Sequence, residues 1–263
     1  MASGAIAIDE GISAIGWCRI TLKLLAMVLS LLVCVPLYYL FRLFGSYGPA
    51  ARLFLASIAW FAGVEIRVTG ERTSGGEFIL ANHVSWIDIP AIAAATGAAF
   101  VAHDGLASVP LIRWLCAMND TVFVARHDRA SVSAQVAQVR AAVRDTGALA
   151  IFPEGTTSDN QGLLPFKSSL LSALDPVPAG VAVQPVLLDY GRDGPDIAWI
   201  GVEGGLANFL RVLARSRPVE LNLCFLPPLS GDALANRKTM AAAAREAILG
   251  ELQARRFACS EAK

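Results

Sequence analysis

Between Lys23 and Arg42 the chain carries no charged side chain, and residues 24–41 are almost entirely apolar. A helix that crosses a bilayer needs about 20 such residues, with a lower limit near 17. The run therefore just reaches, and Pro36 within it is expected to kink the helix or end it early. It is too long for the apolar part of a cleaved signal peptide, and no A-x-A site comes after it. A buried core helix passes the same test of length, but a membrane anchor is the better reading. The wider composition agrees, with 55% hydrophobic and only 17% charged residues, where soluble domains carry roughly a quarter charged. Arg42 and Arg52 favour a cytoplasmic position for the domain C-terminal to them. After the break at Gly45-Ser-Tyr-Gly-Pro49 comes a second apolar stretch, 53–64, too short to span and suited to the interface or the face of a core. The expected division is an anchor over residues 1–60 and a folded domain over 61–263.

The formal charge is zero, so nothing points to nucleic acid, whose binders carry a basic excess. Cys18, Cys34, Cys116, Cys224 and Cys259 form no C-x-x-C pair, and their odd number suits no closed disulfide framework. All five read as small buried hydrophobes in a reducing compartment.

From residue 64 onward, short apolar or alternating runs at 64–68, 78–81, 99–102, 121–124, 148–152, 181–188, 197–200 and 219–226 read as strands. Helical patterns fall between them, at 87–96 (closed by Gly97), 111–117, 130–145 and 239–255. In the third of these, Val132, Val136, Val139 and Val143 form one stripe. Strands alternating with helices indicate an α/β fold with a central mixed sheet and flanking helices, preceded by the hydrophobic N-terminal helical region.

Two polar blocks each directly succeed a buried strand. In Asn82-His83-Val-Ser-Trp-Ile-Asp88 an acid in the first turn of a helix can hold one imidazole nitrogen and leave the other as a general base. Ser85-Trp-Ile-Asp88 is equally a capping-box variant that would form for helix stability alone, and the block by itself does not choose between the two. Phe152-Pro-Glu-Gly-Thr-Thr-Ser-Asp159 gathers a carboxylate, a glycine and hydroxyls at a strand end, where α/β proteins place ligands. A polar turn that caps a helix would have the same composition. No Ser or Cys sits in a nucleophile elbow, so direct transfer between substrates fits better than a covalent enzyme intermediate. His83, His103 and His127, the only histidines, match no usual zinc spacing, and no metal is expected.

Taken together, H-x4-D and the later F-P-E-G-T resemble the glycerolipid acyltransferases, which include bacterial 1-acylglycerol-3-phosphate acyltransferases. Thr121-Val-Phe-Val-Ala-Arg126 resembles that family's strand ending in a substrate-binding arginine, and Val183-Gln-Pro-Val186 its last, apolar motif. The resemblance covers about residues 64–188. It implies that His83 takes the acceptor hydroxyl's proton while Asp88 orients it, a service worth about 10²–10⁴-fold. It also implies that Arg126, Glu154, Gly155, Thr156 and Thr157 bind the acceptor. The donor would be an acyl thioester of acyl carrier protein or CoA, with no cofactor, at the cytoplasmic face of a bacterial-type inner membrane.

Two positions depart from the family pattern. His103 stands where many members have a lysine that stabilises the oxyanion; it either replaces that donor or is a surface residue. Thr157 stands where phosphatidic-acid-forming members have an arginine for the phosphate, although Arg126 and Lys167 are available to compensate. Phe152-Pro-Glu-Gly-Thr-Thr-Ser-Asp159, Leu164-Pro-Phe-Lys167 and Ile197-Ala-Trp-Ile-Gly201 look more like bacterial lyso-ornithine lipid acyltransferases. The favoured acceptor is therefore a lyso-ornithine lipid, with 1-acylglycerol-3-phosphate as the alternative. A lysolipid hydrolase and a non-catalytic lipid carrier are the rival classes.

Overall fold

The strands that carry the two polar blocks, β2 (Glu77–Ala81) and β5 (Ala148–Ile151), are buried at every position. Such strands need cover on both faces of their sheet, the usual condition of parallel strands. The computed structural model describes residues 11–45, 48–73, 76–103, 110–124, 141–143 and 145–261. Its seven-stranded sheet adds β1 (Val64–Thr69), β3 (Ala99–His103), β4 (Val122–Val124), β6 (Ala182–Asp189) and β7 (Val219–Phe225), in the order β1-β7-β6-β2-β5-β3-β4. Only the β6–β7 pair is antiparallel, so the sheet is mixed, as the sequence led us to expect. Strand alternation sends Ile79 and Ala81 into one core and Phe78 and Leu80 into the other.

The first core is roofed by the N-terminal helices. α1 (Ala14–Leu43) continues past Pro36 and does not take the early end that the proline allowed. At about 1.5 Å per residue α1 is roughly 45 Å long. Its buried residues Gly16, Ile20, Met27, Cys34 and Tyr38 form one seam, and packing along that seam carries the helix past the proline. α2 (Gly48–Ala62) lies against it, with Ser30 Oγ and Ser57 Oγ 2.6 Å apart. Lys23 Nζ donates to the carbonyl of Ala62 at the end of α2. Arg52 donates to the carbonyls of Ala94 and Ala95 at the end of α3 (Asp88–Thr96). Both cations occupy helix C-termini, where the dipole favours them. Ile20, Ala59 and Ala62 belong to the same core as Ile79 and Ile92, so the helical pair shares its interior with the sheet.

The other side of α1 is apolar too and is exposed among the described residues. Leu22, Leu25, Leu29, Leu32, Val33 and Leu43 are each more than half exposed. Removing half a leucine side chain from water is worth about 1 kcal/mol, so this stripe gains on the order of 6 kcal/mol by entering lipid. α1 is the one helix among the described residues long and apolar enough to cross a membrane. Cys18 on this helix is exposed, which corrects the reading of every cysteine as a buried hydrophobe; Cys34 and Cys224 do fit it.

The remaining helices are α4 (Pro110–Met118), α5 (Gly205–Ala214) and α6 (Arg237–Glu261), the last longer than expected at both ends. Most of the expected helix 130–145 lies outside the described residues. Residues 141–143 and 145–146 are helical, and Gly147 comes next at φ 77° with its N–H on the Val143 carbonyl at 2.8 Å. One expected strand is not a strand. Residues 197–200 leave a helical turn, Gly194–Ile197, and continue as a loop. Pro195 opens that turn at a position that favours helix. Ile197 and Ala198 are buried while Trp199 and Ile200 are exposed, a pattern without the alternation a strand needs.

Candidate active site

Past Ala81 the β2–β6 ladder is continued by a side chain. Asn82 Nδ2 donates to the Leu188 carbonyl at 3.0 Å, and Asn82 Oδ1 accepts the Leu188 N–H at 2.8 Å. The main chain is thereby released into a tight turn that carries His83. Asp88 supports this turn from the first turn of α3. Its Oδ2 accepts the N–H groups of Val84 (2.6 Å) and Ser85 (2.9 Å) and lies 2.7 Å from His83 Nδ1, while its Oδ1 accepts from the Tyr190 hydroxyl. Asp88 and Tyr190 are buried. Burial, then the Asp88 carboxylate, push the Tyr190 phenol well above its ordinary value, so it remains a donor.

The contacts that each reading of this block requires of Asp88 are present together. Asp88 makes half of a capping box, through the Ser85 N–H, and the same oxygen holds the imidazole. The other half is missing, because Ser85 Oγ lies 3.3 Å from Asn208 Oδ1. With Nδ1 occupied, Nε2 is the nitrogen left to exchange a proton. The ring stacks on Phe152, with centroids 4.1 Å apart and planes 17° off parallel. Phe152 follows the last residue of β5 and opens the second block, and its part as a platform for the histidine is absent from the sequence reading.

Glu154, which the resemblance places at the acceptor, is held by two main-chain N–H groups. It is fully buried, with Oε1 accepting the His83 N–H at 2.8 Å and Oε2 the Leu164 N–H at 2.9 Å. Burial raises its carboxyl above the ordinary range, opposed by those two backbone bonds. The carboxylate thus ties the turn that carries His83 to residue 164. Ser158 adds two more ties, its N–H and hydroxyl both donating to the His83 carbonyl, at 2.7 and 3.1 Å. Gly155 has φ 66°, and a Cβ there would stand 3.1 Å from Leu170 and 3.2 Å from Lys167 Nζ; glycine suits both the left-handed backbone and the tight space.

His83 opens onto a cavity of about 610 Å³. One wall comes from α1 and α2, including Leu31, Ala51 and Phe54, and another from Leu115 and Met118 of α4. Gly155, Thr156 and Thr157 line it near Trp199 and Glu203. The Thr157 hydroxyl donates to the Trp199 carbonyl, and the Trp199 N–H donates to the Val84 carbonyl at 2.9 Å. The 197–200 segment is therefore a loop clasped to both polar blocks. His103 ends β3 on the edge of the sheet where β2 and β5 end, but its side chain is outside the described set. Arg126 also lies outside the described residues. Among those described, no group of three His, Cys, Asp or Glu side chains is placed to hold a metal.

A buried carboxylate, an imidazole with one free nitrogen and an apolar cavity beside it suit acyl transfer to a hydroxyl. The family model described as Acyltransferase matches residues 65–189. A lyso-ornithine lipid O-acyltransferase of Brucella abortus (strain 2308) is 30% identical over 257 residues, covering 91% of this chain and 96% of that protein. The chain belongs to the acyltransferase family. A second acyltransferase of the same description, from Rhodobacter capsulatus, is 34% identical over 179 residues, covering 65% of this chain and 63% of that protein. In fold, this acyltransferase is similar to the crystal structure of the 1-acyl-sn-glycerophosphate acyltransferase of Thermotoga maritima, with a TM-score of 0.60 and 22% identity over 90% of this chain and 98% of that one.

Proposed function

We propose that the protein moves an acyl group from an acyl carrier protein or CoA thioester to the hydroxyl of a lyso-ornithine lipid, at the cytoplasmic face of a bacterial-type inner membrane. The observation that carries this reading is the junction of the His83–Asp88 pair with the apolar cavity walled by α1 and α2. An acyl chain lying in that cavity brings its thioester carbonyl to Nε2. His83 then takes the proton of the acceptor hydroxyl as its oxygen attacks the carbonyl carbon. The tetrahedral oxyanion collapses, the C–S bond breaks, and the thiolate leaves with the proton that His83 held. Asp88 stabilises the imidazolium between these two transfers. We assign the oxyanion donor to His103, for its position at the end of β3. Glu154, Gly155, Thr156 and Thr157 shape the acceptor's place, with Glu154 acting through the turn it fixes, and Arg126 joins them. No cofactor is required by this chemistry.

The acceptor is favoured by charge. Lysophosphatidic acid brings a phosphomonoester with between one and two negative charges, yet among the described residues no lysine or arginine lines the cavity. A lyso-ornithine head is zwitterionic and asks for less neutralisation, which agrees with the substrate named for the two bacterial relatives. The folded domain, 61–263, would act from an anchor within 1–60, α1 placing its exposed apolar stripe in lipid.

The test is an acceptor screen with purified full-length protein, one labelled acyl thioester and one detergent background. Higher kcat/KM with lyso-ornithine lipid than with lysophosphatidic acid is expected. Equal or better use of lysophosphatidic acid removes the acceptor assignment, and release of free fatty acid alone would make the protein a hydrolase.

A further inference from the structure

Among the described residues the cavity is lined by a single carboxylate, Glu203, which Arg211 and Asn208 hold in place. Arg211 Nε donates to its Oε1 at 2.8 Å, Arg211 Nη2 to Oε2 at 2.8 Å, and buried Asn208 Nδ2 to Oε2 at 3.0 Å. A carboxylate offers about four acceptor positions. Three are used here, so one on Oε1 is left, and the side chain remains 22% exposed. The Arg211 hydrogen bonds hold the carboxyl below its ordinary range, so it stays charged. Arg211, on α5, is itself committed to the segment before that helix, donating to the carbonyls of Asp196 and Ala198. It fixes the carboxylate more than it offers a cation to a ligand. The main chain is fixed as well, by the Trp199 indole N–H on the Glu203 carbonyl at 2.7 Å and the clasp of Thr157 on Trp199.

We propose that Glu203 binds the ammonium group of the acceptor's head and so selects amine-bearing lysolipids. This rests on the lyso-ornithine reading of the same site and gives it a residue. The carboxylate is charged and held in place, and Glu203 lines the same cavity as His83. A primary ammonium completes the carboxylate with one charge-assisted hydrogen bond, which an ionised phosphate oxygen, itself an acceptor, cannot supply.

The experiment compares three acceptors in the same mixed micelles with the same acyl thioester: lyso-ornithine lipid, the same lipid acetylated on its side-chain amine, and lysophosphatidic acid. Unmodified protein is expected to favour the free amine by about 10- to 100-fold in kcat/KM, the usual worth of a hydrogen bond to a charged group. In Glu203→Gln the ratio falls to below about 3, and in Glu203→Asp, which keeps the charge, the preference survives in part. A ratio near one in unmodified protein overturns the proposal without any variant having to fold. A ratio unchanged in Glu203→Gln also overturns it. Equal acylation of both ornithine acceptors removes Glu203's assignment and leaves the lyso-ornithine reading in place. Acylation of lysophosphatidic acid with neither ornithine acceptor used removes both.

Discussion

Glu154→Gln separates the two roles open to this carboxylate. In the structure its two oxygens each accept a backbone N–H, one from His83 and one from Leu164. Glutamine has one amide oxygen and one NH₂, so one of those N–H groups must face a donor. Losing a hydrogen bond to a charged acceptor costs about 1.5–3 kcal/mol, and a buried orphaned donor about 1–3 kcal/mol more. Because burial already pushes Glu154 toward its neutral form, the uncharged amide recovers part of this. A net destabilisation of about 2–4 kcal/mol is expected. Where the misfit falls on His83, the imidazole shifts, and a displacement near 1 Å can cost about 10²-fold. Steady-state kinetics with a saturating acyl thioester should show kcat lower by about 10- to 100-fold and acceptor KM within about threefold of the unmodified value. An acceptor KM raised tenfold or more with kcat preserved would refute this reasoning and return Glu154 to direct contact with the head group.

Asp88→Asn keeps the shape of the buried acid but removes its charge, and kcat should drop by about 10²–10⁴-fold with the circular dichroism spectrum retained; normal turnover with a lower melting temperature would make Asp88 only a helix cap. Tyr190→Phe removes the donor to Asp88 Oδ1 from a buried site, and thermal or denaturant unfolding should show a loss of about 1–3 kcal/mol; unchanged stability would show that this bond carries nothing. Full-length protein should sediment with membranes and resist extraction by high salt, which screens only electrostatic contacts; complete release by salt would remove α1 from the lipid.

The strands nearest the site were legible because β2, β5 and β6 are short apolar runs, each stopped by a polar residue or a turn. His83 and Asp88 were legible because their partners lie within five positions along the chain. Tyr190, which completes the Asp88 environment, lies 102 positions away in a segment with no local signal. The Asn82–Leu188 bridge is hidden for the same reason. Glu154 was picked out by its motif, but the motif does not say which way a carboxylate faces, and its two backbone partners appear only in the fold. Phe152 could have been found: an aromatic residue at the end of a buried strand beside a candidate histidine is a natural ring platform. The Ile197–Ile200 segment misled because four apolar or small residues suggest a strand, while Pro195 and the clasp from Thr157 hold a loop instead. Arg52 weighed in the sequence as a sign of membrane orientation, and in the fold it also secures α2 to the end of α3.

The most direct test is transfer of a labelled acyl group from a thioester to lyso-ornithine lipid by purified protein, run beside His83→Ala. The account expects labelled ornithine lipid and free thiol in equal amounts from the unmodified enzyme, and product formation at least about 10²-fold slower from the variant, with its melting temperature and membrane association retained. Product formed by His83→Ala at the unmodified rate, or free fatty acid as the unmodified enzyme's only product, would contradict it.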